Sequence, residues 1–310
     1  MSLMRSALLA ASQNAWLREH AMRWRFVRRS TARFMPGETM DEALAAARQL
    51  QDEGAGAILT HLGENLARGT DAEAVTAHYG ELLQRVAAGS LDAEVSVKLT
   101  QLGLDFDAVL CLSNLRALVE RAEACGSFVW IDMESSACVD RTLDLFTRAR
   151  SRSPRVGICL QSYLRRSAAD VDALLPHAPA IRLVKGAYSE PPALAFSRKA
   201  DVDENFFVLA SRLLGEDARR AGARLGIGTH DGALIERLRT VVADNRVPRS
   251  AYEFEMLYGI QRGLQTRLVA EGEPLRVLVS YGESWFPWYM RRLAEKPANV
   301  WFVVRQLGGR

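Results

Sequence analysis

Charged side chains stand inside or at the ends of several short apolar, β-rich runs of this sequence. Examples are Lys98, Asp132, Arg182 and Lys185. Charged groups within strands cost free energy unless they are paired or face a ligand. The pattern therefore predicts a site for a polar, partly anionic ligand held by several cations. A structural network of ion pairs is the alternative reading.

Three chemistries could use these groups. A Schiff-base lyase would employ Lys98 or Lys185 as the nucleophile. A metal hydrolase needs several imidazoles and carboxylates, and His61, His230 and Asp231 are too few and form no His-x-His pair. A cofactor enzyme would use the cations to hold phosphates and to tune an electron acceptor. The residue types alone leave the lyase and the cofactor enzyme open.

Two adjacent arginines near the end of the chain form a second candidate. Arg291 and Arg292 follow an aromatic cluster, and Glu295 lies one helical turn further on. Neighbouring helical residues point about 100° apart, but long guanidinium side chains can still converge on one anion. Glu295 can hold either arginine at i+4 or i+3 spacing. An ordinary solvated helix face is the alternative.

The elements that must position these groups are eight apolar runs separated by helical segments. Their starts lie far enough apart for the crossover helices that parallel strands require. This order predicts an α/β protein with a (β/α)8 TIM barrel over 41–310, preceded by an N-terminal helical arm over 1–40. A doubly wound sheet is the rival, although no Gly-x-Gly-x-x-Gly opens a unit. The runs are 57–64, 94–100, 128–134, 156–163, 180–188, 224–231, 252–259 and 275–282.

Composition limits the class of protein. The 310 residues are 48% hydrophobic and 25% charged, with a net charge of +3 and scattered basic residues, which gives little support for nucleic-acid binding. The arginine-rich N-terminus is too short and interrupted to span a bilayer. A cytoplasmic protein is predicted, with an arm that touches the inner face of a membrane as the alternative. Among the histidines, His20, His78 and His177 are predicted to lie on the surface.

An ordered set of motifs resembles the proline dehydrogenase family, including the catalytic domain of the proline utilization A proteins. The resemblance implies a distorted (β/α)8 barrel that binds FAD and oxidises L-proline to Δ1-pyrroline-5-carboxylate, with electrons passing to a membrane quinone or another acceptor. It extends over about 40–310 in family order. The motifs are VSVKLTQLGLD, VWIDMESS, LQSYLRR, IRLVKGAYSEP, SRKADVDENF, GTHD, FEMLYGI and WYMRRLAEKPANVWF.

The resemblance also implies roles for individual residues. Arg291 and Arg292 would clamp the substrate carboxylate, and Lys98 and Asp132 would join their ion-pair network. Leu257 would line the proline ring. Catalytic positions would be Lys98, Asp132, Arg182, Arg291, Arg292 and Glu295, with Arg182 beside flavin N5. Cofactor contacts would be Asp132, Gln161, Arg182, Lys185, Gly186, Ala187, Arg198, Lys199, Thr229 and His230.

One substrate-binding position departs from the family pattern. Leu278 stands where family members carry the tyrosine of Tyr-x-Pro-x-Gly, and Tyr281 is placed differently on the strand. A shorter aliphatic side chain removes a hydroxyl and a flat wall. The hypothesis is weaker proline binding with tolerance of 4-hydroxyproline or another cyclic or N-alkyl amino acid. A barrel that binds an amino acid without catalysis is the non-enzyme alternative.

Overall fold

Eight parallel strands close into a barrel in chain order. The computed structural model describes residues 33–63 and 68–285. Each strand pairs with the next, and the last pairs with the first, so the predicted TIM barrel is confirmed and the doubly wound alternative is wrong. The strands are β1 (Gly56–His61), β2 (Ala93–Lys98), β3 (Val129–Asp132), β4 (Val156–Gln161), β5 (Ala180–Val184), β6 (Arg224–Gly228), β7 (Tyr252–Leu257) and β8 (Leu275–Tyr281).

Helices connect the strands on the outside of the barrel. The first begins with a capping box, in which the Thr39 side chain accepts from the Glu42 backbone N–H and the Glu42 carboxylate accepts from the Thr39 backbone N–H. In the described ranges, no helix has both the length and the apolar character needed to cross a membrane. The helices are α1 (Met40–Asp52), α2 (Gly69–Ala88), α3 (Ala108–Ala124), α4 (Val139–Arg150), α5 (Ser167–Leu174), α6 (Lys199–Leu214), α7 (Glu216–Arg220), α8 (Gly232–Asp244) and α9 (Arg262–Ala270).

Short 3-10 helices supplement these connections. They are Leu99–Leu102, Ser136–Cys138, Leu175–His177 and Arg249–Ala251. The first follows β2 directly and the second begins four residues after the last residue of β3, so both stand near the carboxyl ends of the strands. Of the predicted N-terminal arm, residues 1–32 lie outside the described residues.

The hydrophobic core lies between the barrel and its helices. Outward-facing strand residues such as Val95, Ile131, Ile158 and Val277 are completely buried there. Full burial of an aliphatic side chain contributes about 1.5–3 kcal/mol. This layer therefore fixes the barrel and leaves the inward-facing positions to other side chains.

The barrel interior is charged at its amino end. Glu94 and Glu253 contact Arg224 and Arg276, with nitrogen–oxygen distances of 2.7 Å for Arg224 to Glu253 and 3.2 Å for Arg276 to Glu253. We call these four residues the lower ring. Trp130 donates its indole N–H to Glu94 at 2.6 Å. Most barrels fill this space with branched aliphatic residues, and none of these four residues was predicted from the sequence.

Candidate functional site

A second charged group lies nearer the carboxyl ends of the strands. Arg182 is 3% exposed and donates from Nη1 to Asp132 Oδ1 at 3.0 Å and to Ser96 Oγ at 2.9 Å. Its Nε donates to Glu255. Ser96 in turn donates to the same Asp132 oxygen at 2.8 Å. We call Ser96, Asp132, Arg182 and Glu255 the upper cluster.

A glycine brings Arg182 and Glu255 together. The two residues are on β5 and β7, with β6 between them. Gly226 on β6 is the Cα partner of Arg182. A Cβ at Gly226 would lie 2.1 Å from Glu255 Oε1, so any larger residue would occupy the space of the carboxylate. The missing side chain therefore allows the ion pair to form across the middle strand.

The electrostatics of the upper cluster are dominated by burial. Burial raises the pKa of Glu255 to about 7, although the Arg182 charge acts to lower it. Burial also acts to lower the pKa of Arg182, but the charges of Glu255 and Asp132 outweigh it and raise that pKa. Arg182 Nη2 and Glu255 Oε1 are buried and have no hydrogen-bond partner within 33–63 and 68–285. A ligand could therefore accept from Arg182.

Gln161 offers another buried polar atom. It is 3% exposed at the end of β4, and its Nε2 donates to the backbone oxygen of Glu134 at 2.7 Å. The Glu134 carboxylate accepts from the Thr100 hydroxyl at 2.8 Å, and burial raises its pKa. Gln161 Oε1 has no partner in the described part of the chain. A ligand N–H could supply one, because buried polar groups are normally hydrogen-bonded.

The lysine that follows β5 is held by two carboxylates. Lys185 Nζ lies 2.6 Å from Asp203 and 2.8 Å from Asp231. Burial acts to raise the pKa of Asp231, but the hydrogen bond and charge of Lys185 lower it to about 2. Lys199, at the start of α6, also contacts both aspartates. This double ion pair suits an anchor for the loop and does not favour Lys185 as an amine nucleophile.

Gly186 adopts a backbone conformation that requires glycine. Its φ is +110°, and an added Cβ would lie 2.2 Å from the Tyr163 ring. The loop backbone therefore passes directly against Tyr163, which is 8% exposed. Ala187, the next residue, is exposed to solvent. The residue without a side chain thus allows close contact with Tyr163, and the approach of this backbone to a cofactor stays a prediction.

His230 and Thr229 follow β6 and contact the neighbouring loops. His230 Nε2 lies 2.8 Å from the Leu257 backbone N–H and accepts from it. The neutral ring therefore carries its proton on Nδ1. Thr229 is buried, and its Oγ1 accepts from the Asp231 backbone N–H at 3.2 Å. Both side chains thus fix the carboxyl ends of β6 and β7.

Two leucines and a lysine face the inside of the barrel. Leu278 is the Cα partner of Leu257 on β7 and packs on an interior cluster that contains Ile58 and Trp130. Lys98 is the Cα partner of Asp132. Leu257, Leu278 and Lys98 point into the barrel like the upper cluster, because side chains alternate with period two along a strand. Leu278 and Leu257 therefore both face the barrel interior, and their contact with a substrate ring stays a prediction.

Tyr281 lies on the other face of β8. Its hydroxyl is 2.7 Å from His78 Nε2, and its ring centre lies 5.2 Å from that of the tilted His61 ring. Tyr281 therefore cannot replace Leu278 inside the barrel, as its position on the strand predicted. The prediction that His78 is a surface residue is wrong, because α2 presses this imidazole onto β8 and leaves it half-buried.

The remaining predicted site residues are apart from the upper cluster or outside the description. Arg198 is 79% exposed before α6, and its described ion pair is with Asp201, at 3.9 Å. Arg291, Arg292 and Glu295 lie outside the described residues.

The prediction did not assign Ser96, Gly226 or Glu255 to the site. Ser96 and Glu255 stand two residues before Lys98 and Leu257, so the strand period was the available signal. Gly226 had no comparable signal, because its role depends on the neighbouring strands.

Comparison with known proteins places this geometry in context. The model of a family described as proline dehydrogenase matches 43–305. Proline dehydrogenase 1 of Bacillus subtilis subsp. natto is 36% identical over 303 residues, which cover 98% of each chain. Proline dehydrogenase of Deinococcus radiodurans is 36% identical over 278 residues, or 88% of each chain.

Solved structures give the same fold. A crystal structure of proline utilization A from Bdellovibrio bacteriovorus, inactivated by N-propargylglycine, superposes with a TM-score of 0.83 at 24% identity. The match covers 94% of this chain and 36% of that one. At this level of identity the likeness concerns the fold of the barrel.

Proposed function

Because the chain belongs to the proline dehydrogenase family, a family of oxidoreductases, we propose that it oxidises L-proline to Δ1-pyrroline-5-carboxylate with FAD as the hydride acceptor. This reaction is the first step of proline catabolism. A hydride leaves the ring carbon next to nitrogen and a proton leaves the amine, so that a C=N bond forms. The observation that carries the proposal is the buried Arg182, whose Nη2 group has no hydrogen-bond partner in the described chain.

The described residues fit a flavin. Gln161 Oε1 could accept from a ring N–H, and Arg182 Nη2 could donate to a ring nitrogen or oxygen. Gly186 lets the loop backbone after β5 pack directly against the Tyr163 ring, because an added Cβ would lie 2.2 Å from that ring. When bound, FAD supplies the acceptor for the hydride. The chain itself supplies a cation in a water-poor site, where it stabilises negative charge that develops on the acceptor.

Further cofactor contacts belong to the same proposal. Lys185, Ala187, Thr229 and His230 lie in the loops that follow β5 and β6. Arg198 and Lys199 would approach a phosphate, because both are exposed cations where α6 begins. Asp132 would hold Arg182 in place through its 3.0 Å contact.

The substrate would lie between apolar and cationic groups. Leu257 and Leu278 provide an aliphatic wall, and Lys98 provides a cation on the neighbouring inner face of β2. We assign the carboxylate clamp to Arg291 and Arg292 on the basis of the family motif. Glu295 would hold either arginine. Paired guanidinium groups select a carboxylate because they form charge-assisted bonds in fixed geometry.

Anaerobic reduction tests this function. The purified protein should carry FAD, and L-proline should bleach the visible absorbance of the oxidised flavin without oxygen. Arg182→Met should slow the bleaching by about 100-fold or more, the typical cost of losing a charge-stabilising donor. Arg220→Met removes a 73% exposed arginine and should leave the rate unchanged. Protein without flavin, or a flavin that proline does not reduce, would refute the proposal.

A second substrate class follows from the inward position of Leu278. An aliphatic side chain next to Leu257 leaves the ring-binding wall without a hydroxyl, so 4-hydroxyproline or an N-alkyl amino acid could replace proline. The test is kcat/KM for each amino acid in wild type and in Leu278→Tyr. A wild-type preference for unsubstituted proline at low concentration would reject this substrate class.

Two rival functions have direct tests. A Schiff-base lyase would be trapped by borohydride at Lys98 or Lys185, whereas a binding barrel would hold proline and leave the flavin oxidised. For the electron acceptor we propose a membrane quinone or another carrier, reached by a cytoplasmic protein at the inner face of the membrane. Quinone reduction with vesicles of anionic lipid, compared with quinone in detergent alone, would test that contact.

A further inference from the structure

We propose that Glu255 is a positioning residue for Arg182, which fixes the guanidinium through Nε and sets the positive charge that Arg182 presents to the flavin. This inference rests on the proposed function. Glu255 is 4% exposed and belongs to the inner face of β7, two residues before Leu257. Its described hydrogen bond and ion pair are both with Arg182 Nε.

The contacts of Arg182 explain the positioning role. Glu255 accepts from Nε, while Asp132 and Ser96 accept from Nη1. The guanidinium carbon also lies 4.6 Å from the centre of the Trp130 ring. Carboxylates on two sides and an aromatic face leave the guanidinium little freedom to rotate. Nη2 is therefore the donor that remains for a ligand, and its direction depends on Glu255.

The balance of charge explains the second role. The lower ring contains two carboxylates and two guanidinium groups, so its charges cancel. The upper cluster contains two carboxylates and one guanidinium group. An ionised Glu255 therefore lowers the net charge of the upper cluster around Arg182. The charged groups that act directly on Glu255 are Arg182 on β5, Glu94 on β2 and Glu253 on its own strand. Cys159 on β4 also faces it, Arg276 on β8 is its Cα partner, Asp132 on β3 shares Arg182 with it, and Arg224 on β6 belongs to the lower ring.

The ionisation of Glu255 should change within the working range of an enzyme. Burial raises the pKa of this carboxyl group to about 7. When Glu255 is protonated, Asp132 alone offsets the Arg182 charge, and a reduced flavin with extra negative charge is stabilised more strongly. When Glu255 is ionised, the net charge near Arg182 is lower. The flavin midpoint potential of the wild type should therefore fall more steeply with pH than that of a variant without this carboxylate.

The experiment compares Glu255→Gln with Glu253→Gln. Glutamine at 255 can still accept from Arg182 Nε but carries no charge, and Glu253 is a buried carboxylate of the same strand that contacts the lower ring. Flavin potentials are measured by equilibration with a reference dye under chemical reduction, without proline. At about pH 8.5 Glu255→Gln should favour the reduced flavin tenfold or more, which is about 30 mV for a two-electron couple.

The pH dependence distinguishes this effect from simple loss of charge. Wild type and Glu255→Gln should converge at about pH 5.5, because the wild-type carboxyl group is then protonated. Glu253→Gln should keep a pH-dependent potential, with the change moved to lower pH because the Glu253 charge acts to raise the pKa of Glu255. A Glu255→Gln shift that is absent, or that is equal at both pH values, would overturn the inference.

A measurement on unfolding needs no flavin. A carboxyl group with a raised pKa binds more protons in the folded state, so its contribution to stability is present below about pH 4.5 and is lost as pH rises through about 7. Glu255→Gln should remove this fall and Glu253→Gln should retain it. Glu255→Asp, which keeps the charge but withdraws it from Nε, should lower kcat more than KM and preserve the pH dependence of the potential. Parallel slopes for wild type and Glu255→Gln would contradict the charge assignment, and a Glu255→Asp enzyme with unchanged kcat would contradict the positioning role.

The results also separate this inference from the proposed function. A flavin that responds to Glu255→Gln as expected but is not reduced by proline would refute only the proposed function. A flavin that proline reduces, with a potential unaffected at residue 255, would refute only the inference. A chain that binds no flavin would overturn both.

Discussion

Replacing Arg182 by methionine should destabilise the protein strongly. Arg182 is the described counter-ion that Asp132 and Glu255 share. Methionine fills a similar volume but leaves these carboxylates without their cation, and Glu255 is 4% exposed. Uncompensated buried charge costs more free energy than the salt bridge contributes when intact. The variant should therefore unfold at lower denaturant concentration even if the barrel packs normally.

The expected magnitude follows from the burial of the pair. Removing one partner of a buried ion pair costs about 3–5 kcal/mol. Part of the cost should disappear when Glu255 is already neutral, so Arg182→Met should cost less in the Glu255→Gln background. The coupling energy of the double-mutant cycle should be about 1–3 kcal/mol for residues in direct contact. A full loss of 3–5 kcal/mol is a large fraction of the stability of a typical domain.

Urea unfolding of the flavin-free protein, followed by circular dichroism, measures these changes. The matched control is Arg220→Met, because Arg220 is 73% exposed in an i,i+4 pair with Glu216. It should change the free energy of unfolding by about 0.5 kcal/mol or less. The reasoning would be refuted if Arg182→Met cost no more than the control, or if the cycle showed no coupling between Arg182 and Glu255.

Other changes test individual parts of the structure. Gly186→Ala should reduce flavin retention and lower the thermal midpoint, since φ is +110° and the new Cβ would lie 2.2 Å from the Tyr163 ring; unchanged values in a thermal shift assay would contradict this. Asp231→Asn should make the free energy of unfolding less dependent on pH in the acid range. The pKa of Asp231 is lowered to about 2, so its stabilisation is present above about pH 4 and is lost as pH falls towards that value. Acid unfolding curves followed by circular dichroism that are identical for wild type and variant would contradict this. Thr39→Ala should cost about 1 kcal/mol in urea unfolding by removing the α1 cap, and Thr39→Ser should restore most of it.

The strands and their order were predictable because their signals are local. Each apolar run of the sequence became one strand, but several runs were predicted too long at the carboxyl end. The run 180–188 contains a strand only over Ala180–Val184. Lys185 leaves the sheet to meet Asp203 and Asp231, and the positive φ of Gly186 turns the chain. Such endings depend on partners far away in the sequence.

Only part of the site was predicted, because the pairing of its side chains also depends on partners far away in the sequence. Asp132 and Arg182 were expected in one polar site, and the structure brings them within 3.0 Å. Glu255 lies in the seventh run, 252–259, but nothing in that run indicates that its partner is Arg182. The meeting of β5 and β7 side chains depends on Gly226 in the strand between them. Strand stagger in a closed barrel fixes which residues share a level, and that stagger is not a local property of any run.

The sequence by itself determined the alternation of strands and helices, the inward or outward face of each strand residue, and the family motifs, because these depend on spacing along the chain. Barrel closure decided the rest. It joined β8 to β1, placed Tyr281 against His78 outside the barrel, and set Arg182 between Asp132 and Glu255 inside it. The physical reason is that ionisation and hydrogen bonding depend on burial and on neighbours within a few ångströms, which only the folded chain brings together.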